Sequence, residues 1–311
     1  MYILSALVII IISFFVSYKI NFKIKNYDNP GKDKIQKIKV LTSGGLMPLI
    51  SFSIFLFYLI YFSNLEYGNY FNRIPQIWMA PTSVLIFVLI SFYDDLKYIP
   101  FQVRLFVQLS IVYLCISLFP INQIYNIQTP IFDGSIPIKL DMIITIIFWT
   151  FIINSTNFID GYDGMFSFQM ITNFLGLSII FYILKEEFYL LISIFMLFLG
   201  IVFLFFNIGR KFKMFIGDVG SIPAGFILGW MLITLTNMGY IFCAIILNLF
   251  FVFDVLYTLV VRILNKKSIF IRHNDFIFKK CIIKYGAKRY FIFSIPIQMM
   301  LMIISIFIIG L

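Results

Sequence analysis

Long apolar runs, separated by short polar segments, set the pattern of this chain. The runs fall at about 2–18, 46–63, 76–93, 103–119, 139–153, 165–184, 188–206, 221–236, 240–261 and 290–310. Each approaches the ~20 residues that carry an α-helix across a bilayer. The pattern predicts an all-α polytopic integral membrane protein, a bundle of about ten transmembrane helices forming one domain over residues 1–311. The first run lacks a basic leader and a small-residue cleavage site, so it reads as a helix rather than a signal peptide. Between the fourth and fifth runs, Pro120, Pro130, Asp133-Gly134 and Pro137 predict a short turn or hairpin over 120–138.

Composition sharpens this picture. Of the 311 residues, 61% are hydrophobic and 12% charged, against about 45–50% and ~25% in soluble domains. A soluble enzyme, a secreted disulfide scaffold and a disordered chain are excluded. Cys115, Cys243 and Cys281 form no CxxC pair and read as small hydrophobes. The net charge of +10 could signal nucleic acid, but its distribution argues otherwise. With the N-terminus outside, 21 of the 24 lysines and arginines fall on loops 19–45, 94–102, 154–164, 207–220 and 262–289 or at their edges. Only Arg73, Lys139 and Lys185 fall on the other side. Basic residues concentrate in cytoplasmic loops, so these five loops are expected to be cytoplasmic.

The acids follow the same side, although lysine and arginine alone define the topology. Asp94-Asp95 closes the third run, Asp160 and Asp163 sit in NSTNFIDGYDGM, Asp218 in FIGDVGS and Asp275 in RHNDFIFKK. Ionisable groups at membrane level are costly and mark functional sites. Adjacent carboxylates repel unless a cation offsets them; a divalent metal is the obvious cation at Asp94-Asp95, and Lys97 a weaker one. Asn154, Asn157, Asp160 and Asp163 step by three, which on a helix gives a drifting polar stripe. Amide and carboxylate oxygens suit a hard cation such as Mg²⁺. Phe215-Ile216-Gly217-Asp218-Val219-Gly220-Ser221 is a glycine-bearing loop that opens a run, and backbone N–H groups at a helix start favour phosphate. His273, the single histidine, stands in a basic loop with Arg272, Lys279 and Lys280. Arginine and protonated histidine there would suit phosphate or sugar oxygens. Together these groups are the equipment of phosphoryl transfer.

In combination the motifs resemble those of the polyprenyl-phosphate N-acetylhexosamine-1-phosphate transferases, glycosyltransferase family 4. The resemblance covers about residues 20–290. It rests on Thr42-Ser43-Gly44-Gly45 after Asp28-Asn29-Pro30, Asp94-Asp95, Asn154-x-x-Asn157-x-x-Asp160-Gly161-x-Asp163-Gly164, Phe215-x-Gly217-Asp218-x-Gly220-Ser221 and the basic loop with His273. It implies ten or eleven helices, Mg²⁺ (or Mn²⁺), a polyprenyl phosphate acceptor and a UDP-N-acetylhexosamine donor, with UMP released. By the same resemblance Asp218 and Asn157 contact the metal, and Asp94 and Asp95 lie by the acceptor phosphate and the metal. Asp160 and Asp163 shape the pyrophosphate and uridine end, and Phe215 stacks on uracil. Asn154, Asn207, Arg272 and Lys279 join the substrate contacts. Asp254, with Thr258 and Arg262, also resembles a family pattern.

Two departures stand out. NIGRKFKMF, from Asn207 to Phe215, lacks the Pro-Ala pair of many relatives, and Phe276 stands where a second loop histidine is usual. The less histidine-rich loop is closer to the O-antigen and surface-polysaccharide initiating branch than to the muramoyl-pentapeptide branch. The resemblance further implies a bacterial inner (plasma) membrane location and a role in lipopolysaccharide or cell wall biogenesis; a homodimer stays open. Two routes are open, direct in-line attack by the acceptor phosphate or an aspartyl-phosphate on Asp95 or Asp160. A multi-pass transporter or lipid flippase is the alternative reading; it would place polar groups near the bilayer midplane rather than at one face.

Overall fold

The computed structural model describes residues 2–31, 38–62, 79–97, 99–118, 124, 126–128, 133–135, 138–209, 212–269 and 273–309. Among these, eleven helices follow one another: α1 (Tyr2–Ile24), α2 (Leu46–Phe62), α3 (Met79–Leu96), α4 (Phe101–Leu118), α5 (Ile138–Ile159), α6 (Met165–Ile183), α7 (Glu187–Ile208), α8 (Asp218–Asn237), α9 (Ile241–Leu264), α10 (Ile277–Tyr285) and α11 (Ala287–Ile309). Nine are long and apolar enough to cross a membrane, and α2 is a shorter apolar helix. The protein is an all-α polytopic membrane protein. Two small antiparallel pairs complete the described elements. The strand β1 (Tyr27–Asp28) pairs with β2 (Val40–Leu41), and β3 (Asn126–Gln128) with β4 (Asp133–Ser135). The second pair is the hairpin expected between the fourth and fifth runs.

Helix α8 lies at the centre. It is apolar all round and almost wholly buried, as such a helix must be. It packs on α5, α3, α9 and α2. Small residues permit the close approach, since lipid offers no hydrophobic drive between helices and packing must do the work. A Cβ added at Gly225 would lie 2.8 Å from the Ile153 Cα, and one at Gly229 only 2.5 Å from the Trp149 ring. Trp149 stacks on Phe226 at 4.8 Å between centroids, and its indole N–H donates to the Phe226 carbonyl at 2.9 Å.

The sequence-based boundaries are corrected in three places. Helix α1 runs on to Ile24, past Lys19 and Lys23. Helix α5 continues from the expected end at 153 to Ile159. It does not stop at Asn154 because that amide finds partners in the bundle, donating to Gln108 at 2.7 Å and to the Thr150 carbonyl at 2.9 Å. The four-residue polar stripe is therefore split. Asn154 and Asn157 ride on α5, while Asp160 and Asp163 sit in the turn 160–164, which Gly164 closes at φ +85°. Finally, the basic loop 262–289 contains α10, an amphipathic helix of nine residues. It buries Phe278 and Ile282 and exposes Lys280 and Lys284, and it is too short to read as a span.

Candidate active site

Chain alternation and the helix contacts bring the C-terminal ends of α1, α3, α5, α7 and α9 to the same end of the bundle as the starts of α2, α4, α6, α8 and α11. The polar chemistry collects there in two groups.

The first group is built on α3, α4, α5 and α8. Asp94 accepts from the Ile99 backbone N–H at 2.6 Å, which turns the chain out of α3. It also pairs with Arg104 at 3.0 Å. The same Arg104 nitrogen, Nη1, pairs with Asp218. The cation between the acids of the third and eighth runs is thus Arg104, which sequence reading treated only as a flanking basic residue. Lys97, the weaker candidate, instead stands over the Tyr93 ring at 5.8 Å. Asp218 accepts from the Asn157 side-chain amide at 2.8 Å, and the same amide reaches the Ser221 hydroxyl at 3.0 Å. Asp95 accepts from the Ser43 hydroxyl at 2.5 Å and from the Val219 backbone N–H. The second bond sets a carboxylate at the positive end of α8, which the helix dipole favours.

Backbone pairing fixes this arrangement. Leu41 bridges to Met214 in parallel. The Phe215 N–H donates to the Leu41 carbonyl at 2.8 Å, Gly44 N–H to Phe215 at 2.9 Å and Gly45 N–H to Ile216 at 3.0 Å. The TSGG and FIGDVGS motifs therefore form one interlocked unit. Gly217 adopts φ +74°, and a Cβ there would lie 2.7 Å from Asp95 Oδ2 and 2.8 Å from the Ser43 nitrogen. Phe215 is half-buried, with its backbone held on both sides.

The second group joins the turn after α5 to the segment before α10. Asp163 pairs with Lys213. Asn207 ties the same turn to the strand-like segment, accepting from the Gly164 N–H and donating to the Met214 carbonyl at 3.2 Å. Its amide is engaged at both ends. Asp160 is half-buried in the turn. Buried Lys279 sends Nζ to the His273 carbonyl at 3.3 Å. A Cβ at Gly161 would lie 2.6 Å from the Lys279 Cε, so the flexible end of the Lys279 side chain lies directly over the turn. Arg272 lies outside the described residues.

His273 stacks on Phe276 at 4.8 Å. Phe276, at the place of the usual second histidine, is itself buried and neighbours Phe158 at 5.8 Å and Phe278 at 5.9 Å. It anchors the segment by packing. Burial, with Arg262 adding to it, pushes the His273 imidazole down to about 4. The ring is therefore neutral at pH 7, where the sequence suggested an imidazolium. The sign follows directly. With a folded value near 4 and an unfolded value near ~6.5, the stability tied to the neutral ring is full above about pH 6.5 and is lost as pH falls toward 4. Thermal unfolding in detergent at pH 7.5 and 5 should show a loss in the parent protein that His273→Gln does not share. Equal losses in both would refute the burial of this ring as a neutral group.

Asp254 and Arg262 hold this segment from α9. Both Asp254 oxygens accept backbone N–H groups of α10, from Ile277 at 2.7 Å and Phe278 at 2.9 Å. This is an N-cap supplied by another helix. Arg262 pairs with Asp275 and donates to the Ser268 carbonyl at 3.0 Å. Loss of a cap costs about 0.5–2 kcal/mol. Asp254→Ala should therefore raise amide hydrogen exchange across 273–285 about tenfold, with α8 unchanged. No change in exchange would show that Asp254 does not hold α10.

The residues most easily missed in sequence were Ser43, Arg104 and Gln108. Ser43 sits between Thr42 and Gly44-Gly45, where a small hydroxyl residue reads as ordinary turn chemistry. Arg104 and Gln108 lie four residues apart on α4, Arg104 turned to Asp94 and Asp218 and Gln108 to Asn154.

A polytopic helical bundle with a carboxyl-rich polar site at one end defines a membrane-embedded enzyme class. The chain belongs to glycosyl transferase family 4, whose model matches residues 77–236, just over half of the chain. Membership makes it a transferase of the kind that joins sugar phosphates to polyprenyl phosphate. No curated protein matches the chain. The matched stretch holds α3 to α8 and so Asp94, Asp95, Arg104, Asn157 and Asp218. Ser43, Asp254, His273 and Lys279 lie outside it.

Proposed function

We propose that the protein transfers an N-acetylhexosamine 1-phosphate from a UDP-sugar to undecaprenyl phosphate, releasing UMP and initiating a surface glycan at the inner face of a bacterial plasma membrane. The observation that carries this reading is the cluster on α3, α4 and α8. Two carboxyl groups, Asp94 and Asp218, share the Arg104 guanidinium, and a third, Asp95, lies close enough to feel the charge of both acids. The Arg104 Nε, moreover, is buried without a hydrogen-bond partner. A buried donor left unpaired is costly; a phosphate oxygen at this place would accept from it.

The donor set fits Mg²⁺ in its chemistry. It is hard oxygen throughout, and in this cluster Asp94, Asp95 and Asp218 outnumber the single guanidinium of Arg104. Asp218 and Asn157 are the residues proposed to hold the ion, and when bound it would supply charge neutralisation of the donor pyrophosphate. The protein's own groups do the rest. The acceptor phosphate is mostly dianionic at pH 7, its second pKa being near ~6, so a strong base is not required. Arg104 would orient one phosphate through Nε–H while Asp94 holds the guanidinium. Lys279 faces the turn carrying Asp160 and Asp163, proposed to position the uridine end, and the neutral His273 stands beside Lys279. Asn154, Asn207 and Phe215 would shape that end from α5, α7 and the paired segment. A lone pair on the acceptor phosphate attacks the β-phosphorus, and the bond to the bridging oxygen breaks to leave UMP. Asp95 already accepts two hydrogen bonds, which favours this direct route over an aspartyl-phosphate on Asp95.

Purified protein with Mg²⁺, undecaprenyl phosphate and a panel of UDP-N-acetylhexosamines tests the proposal. UMP release with formation of a diphospho-linked lipid is expected from at least one donor. No UMP from any donor overturns it, and uptake of donor into vesicles without UMP would establish transport instead. A radiolabelled phosphosugar–enzyme adduct would overturn the direct route alone.

A further inference from the structure

Between α9 and α11, roofed by α10, lies an apolar cavity of about 760 Å³, within the ~300–1,000 Å³ range of small-ligand sites. Helix α9 contributes Leu249 and Phe253, α11 contributes Phe293 and Ile297, and α10 contributes Cys281 and Tyr285 four residues apart on one face. These α9 and α11 side chains belong to the outer faces of their helices; Leu249, Phe253, Phe293 and Ile297 are all exposed. In a bilayer this side meets lipid. The one acid in the wall, Asp254, gives both oxygens to the start of α10.

Apart from Asp254, which α10 engages, the charged groups around this groove are basic. Arg289 lines it, and Lys280, Lys284, Lys288 and Arg289 are all exposed. Among the described residues no ion pair joins any of these four cations. They sit on α10 and at the beginning of α11, where that helix enters the apolar layer. Lys279, by contrast, is buried and turned to His273 and Gly161. Helix α10 thus separates the groove from the candidate active site.

We infer that the groove holds an acyl chain of an anionic bilayer phospholipid, with the head-group phosphate met by Arg289 and the neighbouring lysines. A net-neutral head group leaves such a rim uncompensated, whereas an anionic one matches it. A polyprenyl phosphate acceptor needs its phosphate at Asp94, Arg104 and Asp218, on α3, α4 and α8, not on the cations of α10 and α11.

Native mass spectrometry of the full chain in detergent tests this, with phosphatidylglycerol, phosphatidylcholine and undecaprenyl phosphate added separately as probes. Each basic residue beside an anionic head group is worth about five-fold in binding. Phosphatidylglycerol should therefore bind at least five-fold better than phosphatidylcholine. Lys284→Gln/Lys288→Gln/Arg289→Gln should abolish that preference. Lys19→Gln/Lys23→Gln/Lys25→Gln, which removes equal charge elsewhere at the same end, should keep it. Cys281→Trp, which fills the groove, should lower retention of phosphatidylglycerol. Equal binding of the two phospholipids, or an unchanged preference in the α10–α11 triple variant, overturns the inference. Displacement of phosphatidylglycerol by undecaprenyl phosphate also overturns it and makes the groove an acceptor site. None of these readouts depends on turnover.

Discussion

Asp218→Asn should lower UMP release by about two to three orders of magnitude, the scale on which a positioned charge-stabilising group acts, while the folded protein persists. The substitution keeps the size of the side chain and its place at the first turn of α8. It removes the carboxylate that receives Asn157 at 2.8 Å and shares Arg104 with Asp94. Arg104 then keeps one acidic partner instead of two, and the proposed ion site loses its charged ligand. The measurement is steady-state UMP release with the active donor, alongside thermal unfolding of both proteins in detergent. Turnover within a few-fold of the parent would remove Asp218 from the chemistry. A large drop in unfolding temperature would instead assign it to the fold.

Gly45→Ala should destabilise the protein by about 1–3 kcal/mol, the usual cost of overpacking. The added Cβ would lie 2.3 Å from the Gly220 Cα and 2.8 Å from the Gly220 nitrogen. These are backbone atoms, so no rotamer change relieves the contact. The paired segments 41–45 and 214–216 must separate, and with them the Ser43–Asp95 hydrogen bond. Gly286→Ala is the control. A Cβ there meets nothing within 4 Å, so its cost is backbone strain alone, about 1–3 kcal/mol at φ +85° and ψ 150°, with segments 41–45 and 214–216 left paired. Unfolding followed by tryptophan fluorescence compares the two. If Gly45→Ala unfolds no earlier than the parent protein, the close approach of the two motifs is not what holds the site.

The bundle was legible in the sequence because each apolar run carries its own signal over many residues. The acids were legible for the opposite reason, being scarce in an apolar chain. Arg104 was hidden because a basic residue at a helix start is also what membrane topology produces, and the two causes look alike in sequence. Helix α10 was hidden because nine residues that include Lys279, Lys280 and Lys284 average out as a loop. Its start is capped by Asp254, which comes from a different helix and leaves no local signature. Phe276 is a related case. In sequence it is a missing histidine; in the structure it is the buried ring on which His273 stacks.

The parallel pairing of residues 41–45 with 214–216 also governs the order in which the protein can be made. A ribosome delivers α1 and α2 to the membrane long before the residues that pair with the segment between them. Until α8 emerges, the Gly44 and Gly45 amides lack their partner carbonyls and Gly217 has not closed over Asp95. Contacts so distant along a chain form slowly. The polar site is therefore assembled late in biogenesis, after most of the helices around it have been inserted.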